Sequence, residues 1–89
     1  MSEFSERVRK VVCAIPKGKT LGYAQVALLA GKPGAARAVV KALDSKMPWW
    51  RVTRSDGTVA KEMAKEQLPR LAREGWTFRG RRLVARRQG

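Results

Sequence analysis

The chain has 89 residues, with 20 lysines and arginines against 7 aspartates and glutamates, and its formal net charge is +13. A charge of this size predicts an anionic partner, with nucleic acid favoured and an anionic membrane surface second. The chain has no histidine, and Cys13 is its single cysteine. This composition excludes Cys/His metal sites, Ser-His or Cys-His catalysis and a disulfide within the chain.

The length fits a single domain spanning residues 1–89. No apolar run approaches the length of a membrane-spanning helix, and no signal peptide is visible. A lone cysteine suits a reducing compartment. We therefore expect a cytoplasmic, nucleoid-associated monomer with no membrane partner, no metal and no other cofactor.

The first predicted helix begins near Phe4 and ends before Pro16 and Gly18. Its apolar residues recur at helical spacing and are Phe4, Val8, Val11, Val12 and Ile15. Cys13 lies beside this stripe. We interpret it as a small, half-buried hydrophobic residue rather than a reactive thiol.

Two further helices are predicted, from Tyr23 to Ala30 with Gly22 as the cap, and from Pro33 to about Leu43. The third helix has an apolar stripe that consists of Ala36, Val39, Val40 and Leu43. Its opposite face is small and basic and consists of Gly34, Arg37, Ala38 and Lys41. Two short helices with a Gly-containing turn are typical of a helix-turn-helix. An ordinary helical hairpin fits these residues equally well, and the net charge favours DNA binding.

A last helix is predicted from about Ala64 to Glu74, and Gly75 ends it. Leu68 and Leu71 are expected to face inward on this helix. Pro69 is expected to disturb its first half, because proline removes a backbone donor.

The remaining segments are expected to be mostly irregular between residues 44 and 60, with a short extended piece at 51–53. Residues 76–78 and 83–85 are predicted to form a small hairpin. The basic C-terminal tail, residues 79–89, contains five arginines. A solvated tail and a set of phosphate contacts explain these arginines equally well.

Several short motifs occur in order along the chain. They are Gly-Lys-Thr-x-Gly-Tyr (18–23), Ala-Gly-Lys-Pro-Gly-Ala-Ala-Arg-Ala-Val (30–39), Pro-x-x-Arg-Val (48–52), Ser-Asp-Gly (55–57) and Glu-Gly (74–75). The set resembles the DNA-binding C-terminal domain of O6-alkylguanine-DNA alkyltransferases over roughly residues 4–78. The predicted fold is α+β and mainly helical, a winged-helix-like domain with a helix-turn-helix and small strand elements.

In the family that this chain resembles, the third motif reads Pro-Cys-His-Arg-Val, and its cysteine accepts the alkyl group with help from the histidine. Here Trp49 stands at the cysteine position and Trp50 at the histidine position. Alkyl transfer requires a thiolate, which an indole cannot supply. Cys13 belongs to the first helix and not to this motif. The chain therefore resembles the alkyltransferase-like branch of the family, and we expect no catalytic residue and no enzyme activity.

The resemblance implies that the helix-turn-helix binds the minor groove of DNA. Arg37 matches the arginine that enters the base stack, and Tyr23 matches the tyrosine that helps to rotate the damaged nucleotide out. The expected DNA-binding residues are Tyr23, Gly34, Ala35, Arg37, Ala38 and Lys41. The expected lesion pocket consists of Tyr23, Trp49, Arg51, Val52, Ser55 and Lys61. Of the two indoles at 49 and 50, one is expected to line this pocket and the other to pack behind it.

Two positions need separate comment. Residues 44–46 read Asp-Ser-Lys, where alkyltransferases usually have an asparagine in the hinge. Glu74 matches a glutamate that completes the catalytic network in active enzymes. Since the cysteine and histidine of that network are replaced here, we expect Glu74 to have a structural role near Arg51 or a backbone amide.

The function implied by the resemblance is recognition without repair. The protein is expected to bind double-stranded DNA carrying O6-alkylguanine, to flip the damaged base and to flag it for nucleotide excision repair proteins. Two alternatives from other classes are an active alkyltransferase and a helix-turn-helix regulator or nucleoid protein without lesion specificity. Transfer of a methyl group from DNA to the protein would establish the first alternative. Equal affinity for damaged and undamaged DNA would establish the second.

Overall fold

The computed structural model of the chain describes residues 3–86. Its elements are α1 (Glu3–Cys13), β1 (Leu21–Gly22), α2 (Tyr23–Leu29), α3 (Ala36–Ala42), a 3₁₀ helix (Trp49–Arg51), β2 (Val52–Thr53), α4 (Ala64–Arg73), β3 (Trp76–Arg79) and β4 (Arg82–Arg86). Four helices and two small sheets within this range confirm the predicted α+β class. No helix in residues 3–86 is long and apolar enough to cross a membrane.

Helix α1 forms as its apolar spacing predicts. Val8 and Val12 are fully buried, and Glu3 and Glu6 occupy the first turn, where the helix dipole favours acidic side chains. Cys13 is exposed, so its predicted half-buried position is wrong. Its side chain points about 100° away from that of Val12, because each residue of an α-helix turns the chain by this angle. Cys13 therefore lies off the buried face.

Helices α2 and α3 pack on α1 and on each other, which gives the helix-turn-helix. Gly22 is the cap of α2, as predicted, and its backbone N–H donates to the Gln25 side chain at 2.9 Å. The core of the domain is formed by residues from all three helices, the loops and β2. The clustered buried residues are Val8, Val12, Ile15, Val26, Ala27, Ala30, Val39, Met47 and Val52.

Helix α3 begins at Ala36, so the predicted start at Pro33 is wrong. The Ala35 N–H donates to the Lys32 carbonyl at 3.1 Å, which closes a turn, and Gly34 has a φ of +83°. A positive φ does not belong to a right-handed helix, so the helix starts only after this turn. Gly34 therefore precedes the helix instead of lying on its small face.

The apolar stripe predicted on α3 is only partly buried. Val39 is fully buried, Ala36 and Leu43 are half-buried, and Val40 is 52% exposed. Successive residues of an α-helix turn by about 100°, so Val39 and Val40 point in different directions.

Helix α4 runs without interruption from Ala64 to Arg73, so the predicted disturbance at Pro69 is wrong. Pro69 has no backbone N–H to donate to the carbonyl four residues earlier, yet the helix continues through this position. Leu71 is fully buried as predicted. Leu68 is only half-buried, and Gln67 occupies the inward position instead.

Strands β1 and β2 form a short parallel sheet, with Leu21 opposite Val52 and Gly22 opposite Thr53. This pairing places the end of the Pro-Trp-Trp-Arg-Val motif directly beside the start of α2. The pairing joins segments about 30 residues apart in the chain. It therefore assembles the site that the two motifs were predicted to share.

Strands β3 and β4 form an antiparallel hairpin, which confirms the predicted hairpin with longer strands. Residues 79–86, predicted as part of a basic tail, belong to this hairpin and its turn. Residues 87–89 of that predicted tail lie outside the described residues.

Candidate nucleic-acid interface

The exposed face of α3 carries the basic side chains that were predicted to contact DNA. Arg37, Ala38 and Lys41 are all exposed on this helix. Ala35 is its half-buried N-cap, and Gly34 precedes it with no atom within 4 Å of the position that a Cβ would take. No salt bridge within residues 3–86 involves Arg37 or Lys41. Both cations are therefore free to bind phosphates.

Tyr23 is the first residue of α2 and is half-buried. Burial raises the pKa of its hydroxyl above the ordinary value of 10.0, and the positive charge of Arg54 opposes this shift. The hydroxyl is therefore protonated at neutral pH and able to donate a hydrogen bond. Ser55 packs beside this helix start, and its Cα lies 3.2 Å from the position that a Cβ on Gly22 would take.

A cavity of about 270 Å³ lies next to Tyr23 and the end of helix α3. It is lined by Tyr23, Val40, Leu43, Asp44, Ser45, Trp49, Met63 and Glu66. Aromatic and aliphatic groups form most of this lining, and two carboxylates can accept hydrogen bonds. Such a lining suits a flat ring that carries N–H donors at its edge. The exposure of Val40 is explained by its position in this wall.

The 3₁₀ helix turns the adjacent indoles of the Pro-Trp-Trp-Arg-Val motif in different directions. Their ring centroids are 6.2 Å apart and their planes meet at 86°, an edge-to-face contact. Trp49 lines the cavity, whereas Trp50 donates its Nε1–H to the Glu74 carboxylate at 3.0 Å. The structure therefore places Trp49 at this cavity, whereas Trp50 lines a separate cleft beside Glu74 and Arg70.

Glu74 is the centre of a buried polar network that supports this motif. Arg51 donates to its two carboxylate oxygens, with the shortest distance 2.7 Å from Nη2 to Oε2. The Gly18 N–H donates to Oε1 at 3.3 Å, and Arg51 also donates to the Ile15 carbonyl at 2.9 Å. Burial raises the pKa of Glu74, but the hydrogen bonds from Arg51, Trp50 and Gly18 outweigh it, so the net pKa lies below 4.5. This structural role is the one predicted for Glu74.

Two residues of α4 hold the motif from the other side, and the sequence analysis missed both. The Gln67 side-chain amide donates to the carbonyls of Trp50 and Val52 at 2.9 and 2.8 Å. The Arg70 guanidinium lies 5.7 Å from the Trp49 ring centroid and 5.2 Å from that of Trp50. These distances are within cation–π range. Helical spacing from Leu71 was the one signal that could have placed Gln67 on the inward face.

Other residues that were predicted for the lesion pocket lie away from this cavity lining. They are Arg51, Val52, Ser55 and Lys61. Arg51 is held by Glu74, and Val52 is fully buried in β2. Ser55 packs against Gly22, and Lys61 is exposed in the turn before α4. The cavity uses instead residues at the end of α3 and in the loop that follows it.

The cavity lining contains no thiol and no imidazole. Cys13 is exposed on α1, outside that lining. Within residues 3–86, no three His, Cys, Asp or Glu side chains form a group that could hold a metal ion. The chemistry that this lining offers is hydrogen bonding and ring contact.

A basic helix-turn-helix beside an aromatic-lined cavity defines a DNA-binding domain with room for a small ring. The chain belongs to the family described as 6-O-methylguanine DNA methyltransferase, DNA binding domain, which matches residues 3–76.

Two curated relatives make the placement within this family more specific. The chain is 37% identical over 84 residues to alkyltransferase-like protein 1 of Schizosaccharomyces pombe, covering 84% of this chain and 78% of that protein. It is 43% identical over 65 residues to a DNA base-flipping protein of Vibrio parahaemolyticus, covering 67% of this chain and 65% of that protein. The match therefore spans slightly less than two thirds of the Vibrio protein.

Solved structures agree with this family. The crystal structure of S. pombe Atl1 in complex with damaged DNA containing O6-carboxymethylguanine matches with a TM-score of 0.79 and 37% identity, over 86% of this chain and 80% of that one. The crystal structure of Mycobacterium tuberculosis OGT in complex with DNA matches with a TM-score of 0.73 and 30% identity, over 83% of this chain and 50% of that one. The second match shows the same fold within a longer protein.

Proposed function

We propose that this protein binds O6-alkylguanine in duplex DNA, rotates the damaged nucleotide into the cavity beside Tyr23 and Trp49, and holds it without repairing it. The observation that carries this proposal is the cavity itself. It adjoins an exposed basic helix, has a volume of about 270 Å³ and is lined in part by two aromatic rings, and its lining contains no thiol. A site of this kind can bind an alkylated base but cannot accept its alkyl group.

The roles proposed for individual residues are those that the family resemblance implies, and the exposure of Arg37 and the position of Tyr23 are compatible with them. Arg37 enters the base stack from the exposed face of α3 and fills the space that the rotated nucleotide leaves. Tyr23 directs the rotation from the start of α2, with its protonated hydroxyl toward the backbone. Gly34, Ala35 and Ala38 let α3 approach the minor groove closely. Flipping costs a few kcal/mol, and the cost is lower for a poorly paired base, so weak pairing favours the lesion.

A protein that holds a lesion without removing it requires a second activity to complete the repair. We propose that this chain acts as a cytoplasmic, nucleoid-associated monomer that flags the lesion for nucleotide excision repair proteins. Its similarity to a DNA base-flipping protein and to an alkyltransferase-like protein supports a non-enzymatic role. Trp49 then occupies the place of the acceptor cysteine and offers a ring and one N–H donor.

The proposal is tested by titrating the protein against two duplexes that differ only in one O6-methylguanine. We expect tighter binding to the damaged duplex at every salt concentration, with the same salt dependence for both, because phosphate contacts are shared. Equal affinity for the two duplexes would contradict lesion recognition. That outcome would support a helix-turn-helix regulator or nucleoid protein instead.

Replacing Tyr23 by alanine is expected to impair nucleotide rotation. The ring lines the cavity and stands where α2 begins, so its loss removes both a wall and a guide for the nucleotide. A fluorescent base analogue at the lesion position reports unstacking, and we expect its emission to rise less with the Tyr23→Ala variant. Tyr23→Phe is the matched control, because it keeps the ring and removes only the hydroxyl. Normal emission with Tyr23→Ala would refute this role.

A further inference from the structure

The hairpin β3–β4 is attached firmly to the body of the domain. The Leu83 N–H donates to the Gly57 carbonyl at 3.0 Å, and the Val59 N–H donates to the Arg81 carbonyl at 2.8 Å. Residue Thr58 also forms an isolated bridge with the start of β4. A free two-stranded hairpin is only marginally stable in water, so these backbone bonds fix its position.

The four arginines of the hairpin fall into two groups. Arg81 donates to the Val59 carbonyl at 2.9 Å, and Arg86 donates to the Glu74 carbonyl at 3.1 Å. These two side chains join the hairpin to the domain. Arg79 and Arg82 lie directly opposite each other across the two strands and are both exposed. No salt bridge among residues 3–86 involves this second pair.

Placing two like charges opposite each other in a hairpin destabilises it. The three salt bridges found in residues 3–86 use other cations, so no carboxylate in that range neutralises Arg79 or Arg82. Both side chains border a cleft of about 390 Å³ together with Leu83 and Val84. A pair of cations that is exposed, rigidly presented and without an acidic partner is suited to bind an external anion.

The hairpin is connected to the proposed nucleotide site through one short turn. Gly57 and Thr58, which pair with the hairpin, follow Ser55, and Ser55 packs on Gly22 immediately before Tyr23. These contacts link the hairpin, through residues 55–58, to the segment that immediately precedes Tyr23. The family match ends at residue 76, so it does not cover Arg79 and Arg82.

We infer that Arg79 and Arg82 form a second anion-binding surface, which binds phosphate oxygens of the DNA backbone outside the segment held by α3. The inference rests on the proposed function only in taking duplex DNA as the ligand. Arg79 and Arg82 do not line the cavity beside Tyr23, so we assign them to backbone phosphates and not to the damaged base. This surface therefore adds affinity equally for damaged and undamaged duplexes.

The test is the salt dependence of binding to the duplex pair, measured for the wild-type protein and for Arg79→Ala/Arg82→Ala. Each phosphate contact adds about 0.9 to the steepness of log affinity plotted against log salt concentration. The plot for the double variant should therefore be less steep by about 1.8. The ratio of affinities for damaged and undamaged DNA should not change. Arg79→Lys/Arg82→Lys should restore most of the slope, because lysine retains the charge.

Lys10→Ala is the matched control, since Lys10 is an exposed cation on α1 that takes part in no salt bridge within residues 3–86. Its slope should equal that of the wild type. If the double variant has lost its cooperative thermal transition, Arg82→Ala alone is measured and should lower the slope by about 0.9. If the double variant and the Lys10→Ala control show the same salt dependence, the inference is wrong. If the wild-type protein shows no preference for the damaged duplex, the proposed function is refuted instead. The comparison of salt dependence between wild type and variants would still be valid.

Discussion

Replacing Glu74 by alanine is expected to lower the free energy of unfolding by about 3–5 kcal/mol, because the substitution leaves a buried guanidinium without its partner. The Arg51 side chain is 16% exposed and that of Glu74 is 7% exposed. The same carboxylate accepts hydrogen bonds from Gly18 and Trp50. Natural domains are stable by only about 5–15 kcal/mol, so the variant should be close to unfolding at room temperature. Urea denaturation followed by circular dichroism measures the difference.

The matched control is Glu3→Ala, which removes the carboxylate of an exposed salt bridge. Glu3 pairs with Arg7 at 2.6 Å, but their side chains are 78% and 53% exposed. Pairs of this kind contribute about 1 kcal/mol or less. If Glu74→Ala is no more destabilising than Glu3→Ala, the network around Glu74 does not have the structural importance assigned to it.

The same carboxylate predicts how the stability of the domain depends on pH. The pKa of Glu74 is lowered in the folded protein, since the hydrogen bonds from Arg51, Trp50 and Gly18 outweigh desolvation. Its contribution is therefore fully present above the unfolded-state pKa of about 4.3 and is lost as pH falls through the lower folded-state value. The stability difference between the wild type and Glu74→Ala should shrink as the pH is lowered from 6 toward 3.

Replacing Arg37 by alanine is expected to weaken binding to damaged duplex by about 30-fold or more, on the order of 2 kcal/mol. The reason is that the flipped state costs a few kcal/mol, and the proposed role of Arg37 is to fill the vacated space in the stack. Arg37 is exposed near the start of α3 and takes part in no salt bridge within residues 3–86, so the fold should not depend on it. Titration of the duplex pair measures the effect.

Lys41→Ala is the control for Arg37→Ala, because both changes remove one exposed cation from the same helix. Lys41 is expected to contribute a phosphate contact only. Its loss should therefore weaken binding to damaged and undamaged DNA by the same factor. The ratio of affinities should therefore fall with Arg37→Ala and stay constant with Lys41→Ala. If both variants leave the ratio of affinities for damaged and undamaged DNA unchanged, Arg37 is only another phosphate contact.

Local patterns were sufficient to predict that four helices form, but not all of their bounds. The apolar spacing of α1 and the Gly22 cap each involve only a few neighbouring residues. The start of α3 was predicted wrongly because proline is favoured at the first helical position, and the adjacent Gly34 with its positive φ overrides that preference. A turn that uses glycine in this way is not distinguishable from a helix start by composition alone.

Apart from the contact of Glu74 with Arg51, which the resemblance suggested, the supporting contacts of the site could not be predicted, because they join distant segments. The parallel pairing of β1 with β2 involves only two residues of each strand. Gln67 and Arg70 contact the Pro-Trp-Trp-Arg-Val motif from α4, across 15 to 21 residues of chain. Of the two indoles, only Trp50 donates to Glu74, which lies 24 residues away in the chain. No spacing within the motif itself carries this information.

The central claim is that the protein holds an alkylated base without accepting the alkyl group. The most direct test is to saturate the protein with a duplex carrying O6-methylguanine, confirm the complex by titration, and then measure the intact mass of the protein and the lesion content of the DNA after prolonged incubation. We expect an unchanged protein mass and full recovery of the lesion. A gain in protein mass equal to one methyl group, with loss of the lesion from the DNA, would contradict the account.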